Sequence, residues 1–537
     1  MRPYLGSSIG LCALLAIAAC GDDLPSGSGD GSSSGATETG QATGTTDVAT
    51  PTPADSSTSA AATGTESGGT DSSSSSGTVE PIEVDVEVYT YASQPMVVDL
   101  AFSEPDLEAT LEHPTDPGVR FGPVAGEEGE TWVRVRGLAP ETMHELDWSV
   151  EAPSGATDEG QTAFETLAPL PGYIPSFDIE GSGEGFGGFV LFDLLALTPD
   201  APASLFMIDT EGQTRWHTGR QDGIIGPATV FAGAKLLDDG SLMFLRNFTL
   251  FVIDELGTEQ LALTSEAMGL LGLHHDVIEL PNGNFLALSF IFRDVDYPDI
   301  GLTHVAGDLI VEIDRTGSIV WEWDSFDHLD PLRRREGFDV LIFDVETGEN
   351  GQDWTHGNGV IYDEASDTVL FSARHQDWLV QIDRGSGDVQ WRLGPEGDFG
   401  LEGGGEFFYH QHSPQWQDDG SLLLYDNGVG NPNLADELET SRAIRYDLNT
   451  TTMMATQVWE DAAEDFVAPI AGDADRLPDG SILVTDSSID MNIGQIYARV
   501  REIDEETSDT PQWSFTTDIG TFIYRCVPSL RLAGEVD

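Results

Sequence analysis

Three histidines sit at matching places in a repeated unit of this 537-residue chain, with an arginine and an asparagine near one of them. His275 lies eight residues before the turn Gly283 in HHDVIELPNGNF, and His412 lies eight before Gly420 in QHSPQWQDDGSL. His356 heads HGNGVIYDEASDTVL, whose turn is slightly longer. Each histidine therefore opens a strand that runs into a tight hairpin. The strand after the Ser366-Asp367 turn returns Arg374 beside His356, and the strand after Gly420 returns Asp426-Asn427 beside His412. Asn358, two residues after His356, shares its face and can hydrogen-bond a ligand oxygen. A guanidinium offers a planar fork of donors to an oxyanion such as sulfate or phosphate. Imidazole titrates near pH 6.5 and moves protons at working pH, and its neutral form is a nucleophile able to hold a transferred group. His274, His375 and His410 adjoin the main three, and strand alternation turns them to the opposite face.

The elements that must bring these residues together are repeats. A hydrophobic residue plus Asp, a polar turn and often a Trp recur six times, as MIDTEGQTRW, VIDELGTEQL, EIDRTGSIVW, QIDRGSGDVQW, RYDLNTTTMMATQVW and EIDEETSDTPQW. Between them lie second hairpins around Asp239-Gly240, Asn282-Gly283, Ser366-Asp367, Asp419-Gly420 and Asp479-Gly480. Four strands per unit at this spacing predict an all-β chain whose residues 180–537 form a six-bladed β-propeller. The final strand YRCVPSLRL is expected to join the sheet begun by GFVLFDLLAL and close the ring. The strand starts would then face one axial channel. Residues 324–352 interrupt the repeat and carry Arg333-Arg334-Arg335, read as a solvated insertion loop. The glycine run 181–188 precedes a strand, which argues against a dinucleotide site.

Residues 81–168 alternate as strands do in VDVEVYTY and TWVRVRGL. GLAPETMHELDWSV followed by AFETLAP resembles a fibronectin type III sandwich, with His144 where that fold places its corner tyrosine. Residues 20–80 are Ser, Thr, Gly, Ala and Asp, too polar to bury a core, and read as a tether. Residues 1–19 read as a lipoprotein signal peptide, because Arg2 and a short apolar run lead to Ile17-Ala18-Ala19-Cys20. Acylated Cys20 would hold the protein to a membrane in the bacterial cell envelope, periplasmic or surface-exposed. Cys526 is then left without a disulfide partner. The formal charge of −71 excludes a nucleic-acid partner. Lys235 is the single lysine of the chain.

DWTHGNGVIYDEASDTVLFSARHQDWLVQIDRGSGDVQWRLG, YHQHSPQWQDDGSLLLYDNG and HHDVIELPNGNFLALS together resemble the bacterial aryl-sulfate sulfotransferases. The resemblance covers about 190–530 and implies a six-bladed propeller that needs no metal, no cofactor and no 3′-phosphoadenosine donor. It implies ping-pong transfer of sulfate from an aryl sulfate donor to a phenolic acceptor through a sulfohistidine. Carried over by motif, His412 matches the transient sulfohistidine, His275 and His356 its companions, and Arg374 the sulfate clamp. Two alternatives stand beside it. One is a metal-dependent propeller hydrolase with His275, Asp276, His356 and His412 as ligands. The other is a lipid-anchored binding or scaffold protein without turnover.

Overall fold

The computed structural model describes residues 80–536 except 125–129, 182–186, 197–203, 220–230, 433, 435–438, 462–465, 490–494 and 507–509. The leader, Cys20, the tether up to residue 79 and most of the glycine run lie outside the described residues. The described chain is almost entirely β, with helical turns only at Ser265–Met268, Ser325–His328 and Arg374–Gln376.

Two sheets form the N-terminal body. One orders Val86–Thr90, Val97–Phe102, Thr131–Arg136 and Arg120–Pro123; the other orders Glu108–Glu112, Met143–Glu151 and Thr157–Glu165. Met143–Glu151 alternates exposed and buried along its whole length. Its inward Leu146, Trp148 and Val150 meet Val98, Leu100 and Val135 of the facing sheet. His144 is also inward, and its Nε2 lies 2.8 Å from the carbonyl of Ala139.

Six sheets follow, antiparallel except where Asn350–Asp353 and Gly400–Glu402 add parallel to two of them. Their first strands are Phe231–Leu236, Leu273–Glu279, Gly357–Asp363, His412–Trp416, Asp473–Arg476 and Thr521–Ser529. The last of these comes from the C-terminus and pairs with Phe189–Ala196, as the sequence pattern required. Conversely, Ile179–Gly181 pairs onto Trp513–Thr516, the outer strand of the sheet formed last in the chain. Each first strand packs on the next around the series, and Thr521–Ser529 packs back on Phe231–Leu236.

Apolar clusters fill the faces between successive sheets, for example Val190, Phe192 and Phe206 against Leu483, Val500, Trp513 and Phe515. Strands covered on both faces are buried throughout, as in Ser204–Asp209, Leu422–Asp426 and Ile482–Ile489. The recurrent tryptophans have a specific task. Trp216 donates to Glu255 O at 2.8 Å, Trp323 to Gly387 O at 3.0 Å and Trp513 to Thr210 O at 2.7 Å. In each case the outer strand of one sheet is tied to a turn of the next.

The arginine run is not a solvated loop. Arg333 lies 3.8 Å over the Trp378 ring and donates to the carbonyl and side chain of Gln376, both at 2.8 Å. Arg335 donates to Asp377 at 2.6 Å. The insertion thus clamps the turn Arg374–Asp377. An aromatic face and turn oxygens give the guanidinium better partners than solvent does.

Candidate active site

Five of the six first strands do not run as regular β ladders into their turns; Asp473–Arg476 does. Register shifts interrupt the pairing between Ala232 and Lys235, His274 and Val277, Gly357 and Gly359, His412 and Gln415, and Ile523 and Cys526. At these places the backbone turns left-handed, with φ of 59° at His275, 47° at His356 and 47° at Ser413. A non-glycine residue there costs about 1–2 kcal/mol, and a bulge of this kind re-aims the side chain.

This overturns one expectation from alternation. His274, His375 and His410 do not face away from the other three. His274 Nδ1 is 2.8 Å from His275 Nδ1. The His356 ring stacks on His375 with centroids 4.4 Å apart, and His375 lies 5.6 Å from His410. The bulge breaks the period of two at His275. His375 sits in a 3-10 turn, and His410 precedes its strand with φ 58°.

His275 and His356 meet with ring centroids 4.9 Å apart. The Tyr524 ring lies 6.1 Å from His275 and 6.2 Å from His412, and so bridges the two. Arg374 is buried, and one of its terminal nitrogens donates to Pro469 O at 3.0 Å. Its charge acts on all three histidines. His412 is held well below the usual imidazole range by burial and then by Arg374. His356 is lowered by the same two causes. His275 is lowered by burial, then by the neighbouring rings of His356, His274 and His412, which disfavour a second positive ring, and by Arg374. All three are neutral at working pH.

Each histidine is fixed through Nδ1, but by a different partner. His412 Nδ1 lies 2.6 Å from Asn427 Oδ1, while Asn427 Nδ2 donates to Ala468 O at 2.6 Å and Ala471 O at 2.8 Å. Both amide hydrogens are committed, so Asn427 presents an acceptor, and His412 carries its hydrogen on Nδ1. His412 Nε2 is left with a lone pair. His356 Nδ1 lies 2.5 Å from Asp353 Oδ2. Burial raises the Asp353 carboxyl to about 6, against the opposing pull of His375. His275 leans on His274.

Asn358 is fully buried, and its Nδ2 donates to Gln411 O at 2.7 Å, bracing the segment that leads into His412. Asp276 accepts from Lys235 Nζ at 2.8 Å and Arg525 at 2.9 Å. These three line a cavity of about 560 Å³ with Asp473 and Asp475. Asp276 is therefore engaged with two cations. The group whose ligand atoms come within 4.8 Å of one another is instead Asp353, His356 and His375. Sequence reasoning passed over Asp353, Tyr524 and Asp308. Asp353 stands three residues before His356 in the quoted phrase, while Tyr524 and Asp308 carry no local signal.

Residues 187–525 match the family model described as Arylsulfotransferase (ASST). The arylsulfate sulfotransferase AssT of Lelliottia amnigena is 26% identical over 380 residues, covering 58% of this chain and 63% of that protein. The protein of the same name from Escherichia coli O6:H1 is 25% identical over 388 residues, with the same two coverages. The chain thus spans less than two thirds of the length of these relatives. With more than half of its length matched by the family model, the chain belongs to the arylsulfotransferase family.

Proposed function

We propose that this chain transfers a sulfuryl group from an aryl sulfate to a phenol by a ping-pong route through a sulfohistidine on His412. The observation that carries the reading is a buried, neutral imidazole whose Nδ1 hydrogen is fixed by Asn427, which leaves the Nε2 lone pair uncommitted on a ring that feels the charge of Arg374. Nε2 attacks sulfur, the bond from sulfur to the aryl oxygen breaks, and the aryl oxygen leaves with the bonding pair. Arg374 stabilises the sulfuryl oxygens. With a proton on Asp353, His356 carries its other hydrogen on Nε2 and gives it to the leaving oxygen. The Asp353 proton then moves onto Nδ1 across the 2.5 Å contact. In the second half-reaction an acceptor phenol attacks sulfur, the N–S bond breaks, and the phenol proton passes to a neighbouring imidazole.

The scaffold we infer is a six-bladed propeller. Support comes from six sheets in series, the pairing of Thr521–Ser529 with Phe189–Ala196, and tryptophan ties from sheet to sheet. A fibronectin type III-like body is supported by seven strands in two sheets and by His144, whose ring reaches back to Ala139 O as a corner tyrosine does. The strand order of that body, with the fourth strand beside the fifth, is the one found in constant-type immunoglobulin domains. Lipidation at Cys20, anchoring in the cell envelope and the absence of a nucleic-acid partner belong to the same proposal. No helix of the described residues is long and apolar enough to cross a membrane.

The test is p-nitrophenyl sulfate with and without added phenol. Product release accelerated by the phenol, and a labile adduct mapped to His412, are expected. Full activity of His412→Ala would refute the assignment. A metal-dependent hydrolase is the second reading, favoured by the closeness of Asp353, His356 and His375. Loss of activity on chelation, restored by metal, would select it.

A further inference from the structure

His275 has a structure behind it that His356 and His412 lack. His274 is buried, and its ring is clamped by Phe290 at a centroid distance of 3.9 Å and an angle of 24°. Its Nδ1 faces His275 Nδ1 at 2.8 Å, and its Nε2 lies 3.3 Å from Asp308 Oδ1, within ion-pair range. Asp308 is itself immobilised. Its Oδ2 accepts from Thr355 and from the backbone of Gly357 at 2.7 Å, and its backbone N–H donates to Ser325 at 3.0 Å. Only Oδ1 is directed at His274.

This arrangement orders the protons. The Asp308 oxygen sits within ion-pair range of Nε2 without closing a hydrogen bond, and a carboxylate oxygen can only accept there, which favours placing the His274 hydrogen on Nε2. His274 Nδ1 is then an acceptor, and the hydrogen between the two Nδ1 atoms belongs to His275. His275 Nε2 is left with its lone pair. We propose that Asp308 and His274 form a relay behind His275, fixing its tautomer and receiving the proton that His275 takes from the acceptor hydroxyl. In that step the phenol O–H breaks and Nε2–H forms on His275. The Nδ1 proton of His275 crosses to His274, and Asp308 compensates the charge there. The bond from sulfur to His412 breaks as the new S–O bond forms. His274 and Asp308 are positioning residues in this scheme, and the catalytic half of the proposal rests on the sulfuryl-transfer reading.

The test separates the two. Histidine-selective ¹⁵N labelling of the full protein, with His275 assigned by its loss in His275→Gln, reports the tautomer directly. Wild type is expected to show hydrogen on Nδ1 of His275. His274→Phe keeps the stack on Phe290 but removes both nitrogens, and the Nδ1 signature should be lost. His274→Gln supplies a carbonyl acceptor and should restore it. In kinetics, His274→Phe is expected to slow transfer to weakly acidic phenols about tenfold, while acceptors already present as phenolates change less than about twofold. Hydrogen on Nε2 of wild-type His275, or equal loss for every acceptor, would overturn the relay. If the wild type transfers no sulfuryl group, the sulfotransferase reading falls, and the tautomer alone decides the relay.

Discussion

Asn427→Asp changes one atom pair and should invert the chemistry of His412. The carbonyl that accepts the Nδ1 hydrogen at 2.6 Å becomes a carboxylate. An imidazolium and a carboxylate with charge centres about 4 Å apart, at an effective dielectric constant near 20, attract by about 4 kcal/mol. That favours the protonated form of His412 by about a thousandfold relative to wild type. His412 now sits well below its ordinary range because burial and Arg374 oppose the cation. The new carboxylate opposes both, so the His412 value rises. Nucleophilic attack needs the neutral ring, which is present above that value and lost below it. Phenol-accelerated release of p-nitrophenol should therefore fall steeply near neutral pH and recover as pH rises, whereas wild type stays level there. Ala468 O and Ala471 O also lose their donors, at about 1–3 kcal/mol each, so Tm is recorded at every pH to exclude unfolding. Asn427→Ala supplies the uncharged control, expected to be slow at all pH values alike. A level pH profile for folded Asn427→Asp would refute the claim that burial and Arg374 hold His412 neutral only while its Nδ1 partner carries no charge.

Asp353→Asn should remove a pH limb from the donor half-reaction. The carboxyl is raised to about 6, so it is protonated below that value and loses its proton above it; the wild-type pre-steady-state burst should slow as pH rises through 6, and the variant should not follow. Arg333→Ala removes the stack on Trp378 and two hydrogen bonds to Gln376, an expected loss of about 1–3 kcal/mol by urea titration. Because Gln376 closes the turn that carries Arg374, KM for the donor should rise in the same variant; unchanged stability and KM would show that the insertion does not brace the turn. Asp276→Asn leaves Lys235 and Arg525 facing each other and should destabilise the fold by about 3–5 kcal/mol in chemical denaturation, with no change in bound metal.

The sheet order and the pairing of the C-terminal strand were legible because they depend on local patterns. The Asp-turn-Trp phrase marks one hairpin, and tryptophan recurs because its N–H ties that hairpin to the next sheet. Asn427 was placed beside His412 by counting from Gly420, and counting is reliable while a strand stays regular. The partners of the other histidines were not legible for the same reason. His275 sits in a bulge with positive φ, where alternation fails and no glycine announces the break. Asp308 reaches His274 from the next strand but one of the same sheet. The arginine run was misread because its partners, Trp378 and Gln376, lie more than 40 residues away.

On the proposed route one residue type fills three roles because the second ring nitrogen is treated three ways. An amide carbonyl fixes a tautomer and brings no countercharge to a positive ring, which suits a group that must remain a nucleophile. A carboxylate raised to about 6 exchanges its own proton with the ring it holds, which suits a group that must give a proton and regain it. A second imidazole backed by a more distant carboxylate, in the proposed relay, takes charge away from the ring it holds. Exchanging these partners should exchange the roles. A double variant that places Asp at 427 and Asn at 353 puts the carboxylate behind His412 and the amide behind His356. If partner chemistry sets the roles, this variant should fail to form an adduct on His412 near neutral pH, even though His275, His356, His412 and Arg374 are all kept. If ring position alone sets them, the adduct should form as in wild type. Mass mapping of the trapped intermediate separates the two outcomes.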